Sequence, residues 1–308
     1  DDSSVMYPDK APIFLQAVYI VVPTISLIGN ALIVYATIVS RELRNPCNIF
    51  IATIALGDVM FMFSFFISAA TYNMCDDHQI PQDTCAYIHI VPTFGQSFSL
   101  MLLLNLAIDR LLSLTTSYNI LTNYYTKMYI TVQLLPGCIY GGGVAVLSIL
   151  MREAGKNVIC TMAAPLRSPL LGICTQVGTT LCVLLIICYS LFGFFIRKLR
   201  LSTENMKNVY RSLLVITISI IFGYFGAMAI AMTDDLSNPS VFPIELAGLC
   251  MSFATSVNFF AYYWLSAPYR EVFDSVLGIG HLKSIVLPKN TSRVQQTSNR
   301  LSTVFREL

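Results

Sequence analysis

The sequence predicts an all-α membrane protein: a bundle of seven transmembrane helices with an extracellular N-terminus and a short amphipathic helix after span seven. The 308 residues are 55% hydrophobic and only 12% charged, whereas a soluble domain carries roughly 25% charged residues. Long segments lack charge almost completely, and the basic residues cluster in the connections between them. These observations make the bilayer the expected solvent for most of the chain.

The number of spans follows from the uncharged segments, because a helix needs about 20 mostly apolar residues to cross the hydrocarbon core. Runs such as VLLIICYSLFGFFI at 183–196 do not alternate between apolar and polar residues, as barrel strands would, so helices are expected. We place residues 1–10 outside, the bundle at 11–267, and an amphipathic helix and tail at 268–308. The seven spans are expected at about 13–40, 47–71, 85–114, 128–150, 170–196, 210–232 and 242–265.

The orientation follows from the basic residues, since Lys and Arg concentrate on the cytoplasmic side of membrane proteins. An extracellular N-terminus places 15 of the 19 basic residues in the cytoplasm and leaves four outside. The first ten residues, DDSSVMYPDK, are acidic and lack the apolar core of a signal peptide, so we expect the first span to act as the targeting signal. A multi-pass protein of the plasma membrane is predicted.

Four polar residues are expected at one depth in the bundle. Asp58 lies 11 residues after Cys47, or about 16 Å at 1.5 Å per residue, which is near the middle of the membrane. Asn30, Ser99 and Asn258 reach a similar depth in spans 1, 3 and 7. Such a layer can bind a sodium ion at Asp58 and Ser99, or it can be a polar knot that only orients the helices. The sequence leaves both interpretations open.

One face of the third span carries most of its polar residues. Alternating steps of three and four place Cys85, His89, Gln96, Ser99 and Arg110 along that face, which we expect to point into the bundle. Polar residues in the outer half of the spans are candidates for ligand binding, although ordinary packing explains each of them as well. The candidate ligand-binding residues are His89, Thr93, Gln96, Tyr224, Glu245 and Met251.

The order and spacing of several motifs resemble the rhodopsin-like family of G-protein-coupled receptors over about residues 20–275. These motifs are Gly29–Asn30, LGD ending at Asp58, Asp109–Arg110 after Cys85, and NFFAY at 258–262 followed by YREVF at 269–273. RNPCNIFIATIALGD at 44–58 and IDRLLS at 108–113 look most like nematode serpentine chemoreceptors of the srsx type. The chain departs from the family at Leu111 and Phe259, has no tryptophan in helix 4, and has IFGYFG at 221–226 where CWxP is expected.

The resemblance implies a mechanism. An extracellular ligand would bind among helices 3, 5, 6 and 7 and bias a two-state bundle. Asp109 would hold Arg110 at rest and release it to contact a heterotrimeric G protein, with Tyr262 as part of the switch. Pro92 occupies the position where amine receptors resembling this family carry an aspartate, so a cationic amine ligand is not expected.

The resemblance also implies a disulfide between Cys85 and Cys160, which would pin the second outer loop to helix 3. Cys75 is left open, because it can be free, pair with Cys174 or compete for Cys85. The basic third inner loop, 197–211, suits membrane lipids as well as a G protein. A kinase and an arrestin-like partner are expected at a tail that contains Thr291, Ser292, Thr297, Ser298, Ser302 and Thr303.

The function expected from these features is a chemosensory G-protein-coupled receptor for a small molecule or peptide. A neuropeptide receptor is the alternative within that class, and a ligand-gated channel or a transporter lies outside it. The charge asymmetry opposes a channel with its N-terminus inside, and a single central carboxylate opposes a proton relay. No HExxH occurs, and neither GxSxG nor a pair of aspartates lies within a span, so no enzyme is expected. No nucleic-acid partner is expected, and no cofactor other than a sodium ion.

Overall fold

The computed structural model describes residues 13–75, 78–115, 117–153, 155–166, 169–198, 204–231 and 241–277, and these residues are mainly helical. Two short strands, β1 (Ile80–Pro81) and β2 (Asn157–Val158), pair in antiparallel register, with Ile80 opposite Val158. The helices are α1 (Ile13–Val39), α2 (Pro46–Met74), α3 (Gln82–Ile88), α4 (Ile90–Leu112), α5 (Ser117–Tyr124), α6 (Thr126–Leu150), α7 (Leu170–Lys198), α8 (Glu204–Ala231), α9 (Val241–Leu265) and α10 (Ala267–Val276).

Six of the described helices are long and apolar enough to cross a membrane: α1, α2, α4, α6, α7 and α8. The seventh predicted span, 242–265, lies in α9, which has 25 residues. The helix bounds follow the predicted spans, with the largest difference before span six, where α8 already begins at Glu204. The side of the membrane on which each helix end lies stays a prediction.

Helix α4 lies at the centre of the bundle and packs against α2, α6 and α7. Its Leu102 and Leu106 are buried together with Phe50 of α2 and Leu185 of α7 in the main hydrophobic cluster. Many large apolar side chains point away from this cluster, among them Phe222, which is 75% exposed. An apolar outer surface of this extent suits lipid rather than water.

The third span is interrupted, which corrects the prediction of one continuous helix over 85–114. Helix α3 ends at Ile88, His89 adopts φ −92° and ψ 5°, and α4 begins at Ile90 and ends at Leu112. Pro92 explains the break, since it has no N–H to donate to the carbonyl of Ile88 and its ring crowds that carbonyl. The chain continues through the break because His89 N donates to Cys85 O at 3.1 Å.

Glycines bring the helices close together at two places. A Cβ at Gly95 of α4 would lie 2.5 Å from the carbonyl oxygen of Gly57 of α2, one residue before Asp58. A Cβ at Gly29 of α1 would lie 2.6 Å from Cβ of Phe259 in α9. Small residues at such crossings let helix backbones approach closely, and here they bring the mid-bundle polar residues together.

Candidate functional site

A disulfide between Cys85 of α3 and Cys160, in the loop between α6 and α7, fixes one end of the bundle. Their Cα atoms are 5.6 Å apart, which confirms the expected pairing, and Cys75 is a free thiol. Buried Gln82, which the sequence did not single out, also ties the loop to α3. Its side-chain oxygen accepts from Glu153 N at 2.6 Å and its backbone N donates to Lys156 O at 2.9 Å.

His89 and Thr93 lie one helical turn apart directly below this disulfide. His89 is fully buried, and its Nδ1 donates to Cys85 O at 3.1 Å, which leaves Nε2 as an acceptor. Within the described part of the chain, His89 Nε2 and Thr93 Oγ1 are buried without a hydrogen-bond partner.

The close grouping of Cys85, His89 and Cys160 has the outline of a metal site, since their ligand atoms lie within 4.8 Å of one another. The two sulfur atoms are bonded to each other, however, so neither is a thiolate. The His89 ring instead packs beside Cys160 Sγ, with Nδ1 at 3.5 Å. The cluster therefore joins the loop between α6 and α7 to the start of α4.

The other predicted ligand residues face different neighbours. Tyr224 of α8 donates to Thr175 O of α7 at 2.7 Å and occupies the notch at Gly178, where a Cβ would collide with its hydroxyl. Met251 of α9 packs with the cluster of Tyr19 and Phe65, on the side of α1 and α2. Gln96 is half-buried on α4, and the side chain of Glu245 lies outside the described residues.

The predicted polar layer is assembled around Asp58, which is buried. Asn258 Nδ2 of α9 donates to Asp58 Oδ2 at 2.7 Å, and Ser99 of α4 lies beside the same carboxylate while its hydroxyl donates to Gln96 O at 3.2 Å. This contact joins α2, α4 and α9 in the middle of the bundle.

The hydrogen bonds of Asn30 run within α1 and, through Ser26, to α9. Its Nδ2 donates to Ser26 Oγ at 3.2 Å, and Ser26 Oγ donates to Thr255 Oγ1 of α9 at 3.3 Å. Among the described residues, Asn30 Oδ1 and Asn258 Oδ1 are buried acceptors without partners. The unpaired Asn258 oxygen belongs to the amide that bonds to the Asp58 carboxylate, and oxygen donors of this kind suit a hard cation.

At the C-terminal end of α4, buried Asp109 accepts hydrogen bonds from three residues. Its Oδ2 pairs with Arg110 Nε at 2.9 Å and with Arg110 Nη2, and the Arg110 side chain is 14% exposed. Its Oδ1 accepts from Tyr129 OH of α6 at 2.7 Å and from Tyr118 OH of α5 at 3.1 Å. Arg110 Nη2 also donates to Tyr118 OH at 3.2 Å. The predicted ion pair is thus present and enclosed by two tyrosines.

A second layer of contacts supports this cluster. Gln133 Nε2 donates to Tyr129 OH at 3.3 Å, and Asn105 Nδ2 donates to Gln133 O at 2.6 Å, which braces α6 against α4. Burial, and next the Asp109 carboxylate, raise the pKa of Tyr118 well above its usual range, so it remains a hydrogen-bond donor. Sequence reasoning missed Tyr118 and Tyr129, which follow Asp109 by 9 and 20 residues across a helix connection.

The predicted switch residue Tyr262 contacts α10 rather than the ion pair. Its ring lies 5.1 Å from that of Tyr269, whose hydroxyl is 3.0 Å from Thr37 Oγ1 of α1.

Tyr189 of α7, a further residue that the sequence analysis did not single out, is buried. Its hydroxyl and Thr217 Oγ1 of α8 have no hydrogen-bond partner among the residues described. In the sequence, only the presence of a tyrosine within a long apolar run marked Tyr189 as unusual.

The family model for the serpentine type 7TM GPCR chemoreceptor Srsx matches residues 23–277. The chain belongs to this family. The predicted seven-helix fold and the resemblance are therefore confirmed, and the family consists of receptors, not enzymes.

Partial matches to three curated receptors agree with the Srsx assignment. The C-C chemokine receptor type 8 of Macaca mulatta is 28% identical over 33% of this chain and 28% of that receptor. The alpha-2 adrenergic receptor of Carassius auratus is 28% identical over 37% of this chain and 27% of that receptor. The human CX3C chemokine receptor 1 is 24% identical over 40% of this chain and 34% of that receptor. The chain thus matches about a third or less of the length of these relatives.

In this Srsx chain, Phe259 stands where the wider family's motif has a proline. Its ring lies 5.1 Å from Phe273 of α10 and 6.1 Å from Tyr263, and its Cβ faces Gly29. Tyr263 OH also donates to Asp274 Oδ1 at 2.9 Å. Aromatic packing therefore joins α9 to α10 and α1 at the position of the missing proline.

Proposed function

We propose that this Srsx protein is a chemosensory G-protein-coupled receptor of the plasma membrane with its N-terminus outside. It would convert binding of an extracellular small molecule or peptide into activation of a heterotrimeric G protein. The observation that carries this proposal is the buried Asp109–Arg110 pair at the inner end of α4, enclosed by Tyr118 and Tyr129. The outer end of the same span is fixed by the Cys85–Cys160 disulfide.

The pair is suited to a two-state switch. A hydrogen bond to a charged group contributes about 1.5–3 kcal/mol, and Asp109 accepts such bonds from Arg110, Tyr118 and Tyr129. These bonds favour the state in which Arg110 lies along the carboxylate. A ligand that binds the alternative bundle more tightly shifts the population toward it and frees Arg110 for a G-protein helix.

The ligand would reach α4 near His89 and Thr93, whose orphaned Nε2 and Oγ1 atoms can each form one more hydrogen bond. Gln96, Tyr224, Glu245 and Met251 remain proposed contacts. The family description favours a chemosensory ligand over a neuropeptide. The named relatives do not narrow the ligand further, since two are chemokine receptors and one is an adrenergic receptor.

A sodium ion fits the polar layer, and we propose it as an accessory ligand of Asp58 and Ser99. The donor set consists of a carboxylate, a hydroxyl and the unpaired amide oxygen of Asn258, all oxygen atoms as a hard cation requires. A bound cation would balance the buried charge of Asp58. Asp58 and Asn258 would also hold α2 against α9 without an ion, as in a purely orienting knot.

Further partners are proposed at the cytoplasmic face. Membrane lipids and the G protein would contact the basic segment 197–211. A kinase and an arrestin-like protein would act on Thr291, Ser292, Thr297, Ser298, Ser302 and Thr303, which lie outside the described residues.

The proposed function is tested by expressing the chain with promiscuous and native-type G proteins and screening odorant and peptide libraries for second-messenger responses. Arg110→Ala is expected to abolish the responses at equal surface expression. Arg152→Ala, which removes an outer arginine that lies over the Tyr87 ring, is the matched control and should respond normally. A ligand-evoked current that persists without any G protein would show that the protein is a ligand-gated channel rather than a G-protein-coupled receptor.

A further inference from the structure

Helix α8 contains no proline, and its 28 residues form one uninterrupted helix. A proline inside a helix supplies a kink about which one half can swing against the other. Gly223 and Gly226 are the positions at which the backbone of α8 is most flexible, but both face α9. A movement of α8 therefore depends on its contacts with the neighbouring helices.

Helix α8 packs closely against the backbone of α9. A Cβ atom at Gly223 would lie 2.6 Å from Cβ of Ala254 and 2.9 Å from the carbonyl oxygen of Cys250. About one turn further along α8, a Cβ at Gly226 would lie 3.7 Å from Cys250 Sγ. Small residues at such a crossing let the helices approach closely, and a contact with a backbone carbonyl is not relieved by rotating a side chain. The contact between α8 and α9 is therefore stiff.

The contact between α7 and α8 has a different construction, because tyrosine side chains of α8 span it. The Tyr224 hydroxyl occupies the notch at Gly178, and a Cβ at Gly193 would lie 2.5 Å from the Tyr210 hydroxyl. The two notches are about four turns apart along both helices. At both places the end of a flexible side chain meets α7, so the contact can open when that side chain rotates. We call this contact, with its two notches, the α7–α8 seam.

The polar groups along the α7–α8 seam are incompletely paired. Tyr224 OH donates to Thr175 O of α7 at 2.7 Å. Tyr189 OH of α7 lies near Thr217 Oγ1 of α8, and neither of these buried atoms has a hydrogen-bond partner within the described residues. Buried polar groups without partners cost free energy, so they favour an arrangement in which they gain partners or water. Opening of the seam would break the Tyr224 bond and hydrate the two unpaired groups.

We propose that the bundle opens along the α7–α8 seam while α8 stays docked on α9. The proposal rests on the proposed function, in which a ligand shifts the population of a two-state bundle. It specifies the helix contact that differs between the two states. The filled notches at Gly178 and Gly193 belong to the resting state, and Tyr224 and Tyr210 leave them in the open state. These four residues are thus positioning residues of the resting bundle.

The test adds one methyl group at a time to the purified chain in lipid nanodiscs. Gly178→Ala and Gly193→Ala place a Cβ against a tyrosine hydroxyl, and both are expected to raise basal nucleotide exchange by a purified G protein several-fold. Gly223→Ala places the same methyl group against α9 and is expected to lower the unfolding temperature without raising basal exchange. Gly143→Ala is the matched control and should change neither quantity, because a Cβ there meets nothing within 4 Å.

Two native cysteines report the two contacts without any G protein. Cys182 of α7 is fully buried, follows Gly178 by about one turn and lies near Tyr224, whereas Cys250 of α9 faces Gly226. Mass spectrometry of the digested chain gives the rate at which N-ethylmaleimide alkylates each thiol. The two seam variants, Gly178→Ala and Gly193→Ala, are expected to raise the rate at Cys182 several-fold and to leave the rate at Cys250 unchanged.

An unchanged rate at Cys182 in both seam variants would overturn the proposal. A rise of basal exchange in Gly223→Ala equal to that in the seam variants would overturn it as well. If both seam variants misfold, Tyr224→Phe removes the bond to Thr175 O without adding an atom. It is expected to raise the rate at Cys182, and an unchanged rate would again overturn the proposal.

Failure of the seam and failure of the proposed function give different results. Faster alkylation of Cys182 in the seam variants, without nucleotide exchange in any variant, would support the seam and contradict the proposed function alone. Ligand-stimulated exchange by the unaltered chain, with the rate at Cys182 unchanged in the seam variants, would contradict the seam alone.

Discussion

The hydroxyl of Tyr129, at the start of α6, donates a hydrogen bond of 2.7 Å to the buried carboxylate of Asp109 at the end of α4. This bond lies on the Oδ1 atom, opposite the Arg110 contact on Oδ2. The carboxylate is thereby fixed in the orientation in which it pairs with Arg110. Tyr129 is thus a positioning residue for the proposed switch.

Removing the Tyr129 hydroxyl is expected to raise basal signalling. Tyr129→Phe removes the shorter of the two hydrogen bonds to Asp109 Oδ1 and leaves only that of Tyr118, which destabilises the resting arrangement by about 1–3 kcal/mol and increases the basal G-protein response several-fold. Tyr125→Phe is the control, because Tyr125 is 58% exposed at the N-terminus of α6. Resonance energy transfer between probes on the receptor and on the G protein, without ligand, measures basal signalling. Equal basal signalling in the Tyr129→Phe and Tyr125→Phe variants would refute the positioning role.

The packing of α1 against α9 predicts a rescue experiment. Gly29→Ala introduces a Cβ 2.6 Å from Cβ of Phe259 and is expected to destabilise the bundle by about 1–3 kcal/mol. Phe259→Gly should restore part of this loss in the double variant, because it removes both the Cβ and the ring that the new methyl group would meet. Gly143→Ala is the control, since a Cβ there meets nothing within 4 Å. Thermal unfolding in detergent measures stability, and additive losses in the double variant would show that the two residues do not clash.

The disulfide predicts different outcomes for three cysteines. Replacing Cys85 and Cys160 together by serine opens a link across 75 residues, and the lost constraint is worth about 4 kcal/mol. Surface expression is expected to fall strongly. Cys75→Ser should express normally, because Cys75 is free. Loss of expression in the Cys75 variant comparable to that of the double variant would point to a different pairing.

The polar layer predicts a sodium-specific effect. Sodium chloride is expected to raise the unfolding temperature of the chain more than potassium chloride at equal ionic strength, because the smaller cation fits the oxygen atoms around Asp58. Asp58→Asn should remove the difference between the salts. An identical response of the unaltered chain to both salts would show that the polar layer only orients the helices and binds no sodium ion.

Run lengths and charge were sufficient to predict the spans, whereas the disulfide and the Asp109–Arg110 pair were implied by the family resemblance. Each depends on properties that stay close in sequence or on motifs of fixed spacing. The contact of Asn258 with Asp58 followed from equal depth in the membrane, although its partners are 200 residues apart. Asn30 shared that depth but turned toward Ser26, since depth does not fix the direction in which a side chain points.

The remaining features depend on how helices rotate and cross. Tyr118 of α5 and Tyr129 of α6 reach Asp109 only because the chain turns back to the C-terminal end of α4, which no periodicity reveals. Tyr224 turns into the notch at Gly178 of α7, while Met251 packs near Tyr19, so residues at similar depth meet different neighbours.

The most direct test of ligand-driven G-protein activation through Arg110 is nucleotide exchange with purified receptor and G protein in nanodiscs. An activating molecule from the library screen should stimulate exchange several-fold with the unaltered chain and with Arg152→Ala, and not with Arg110→Ala. Full stimulation by Arg110→Ala, or binding of the molecule without any exchange by the unaltered chain, would contradict the account.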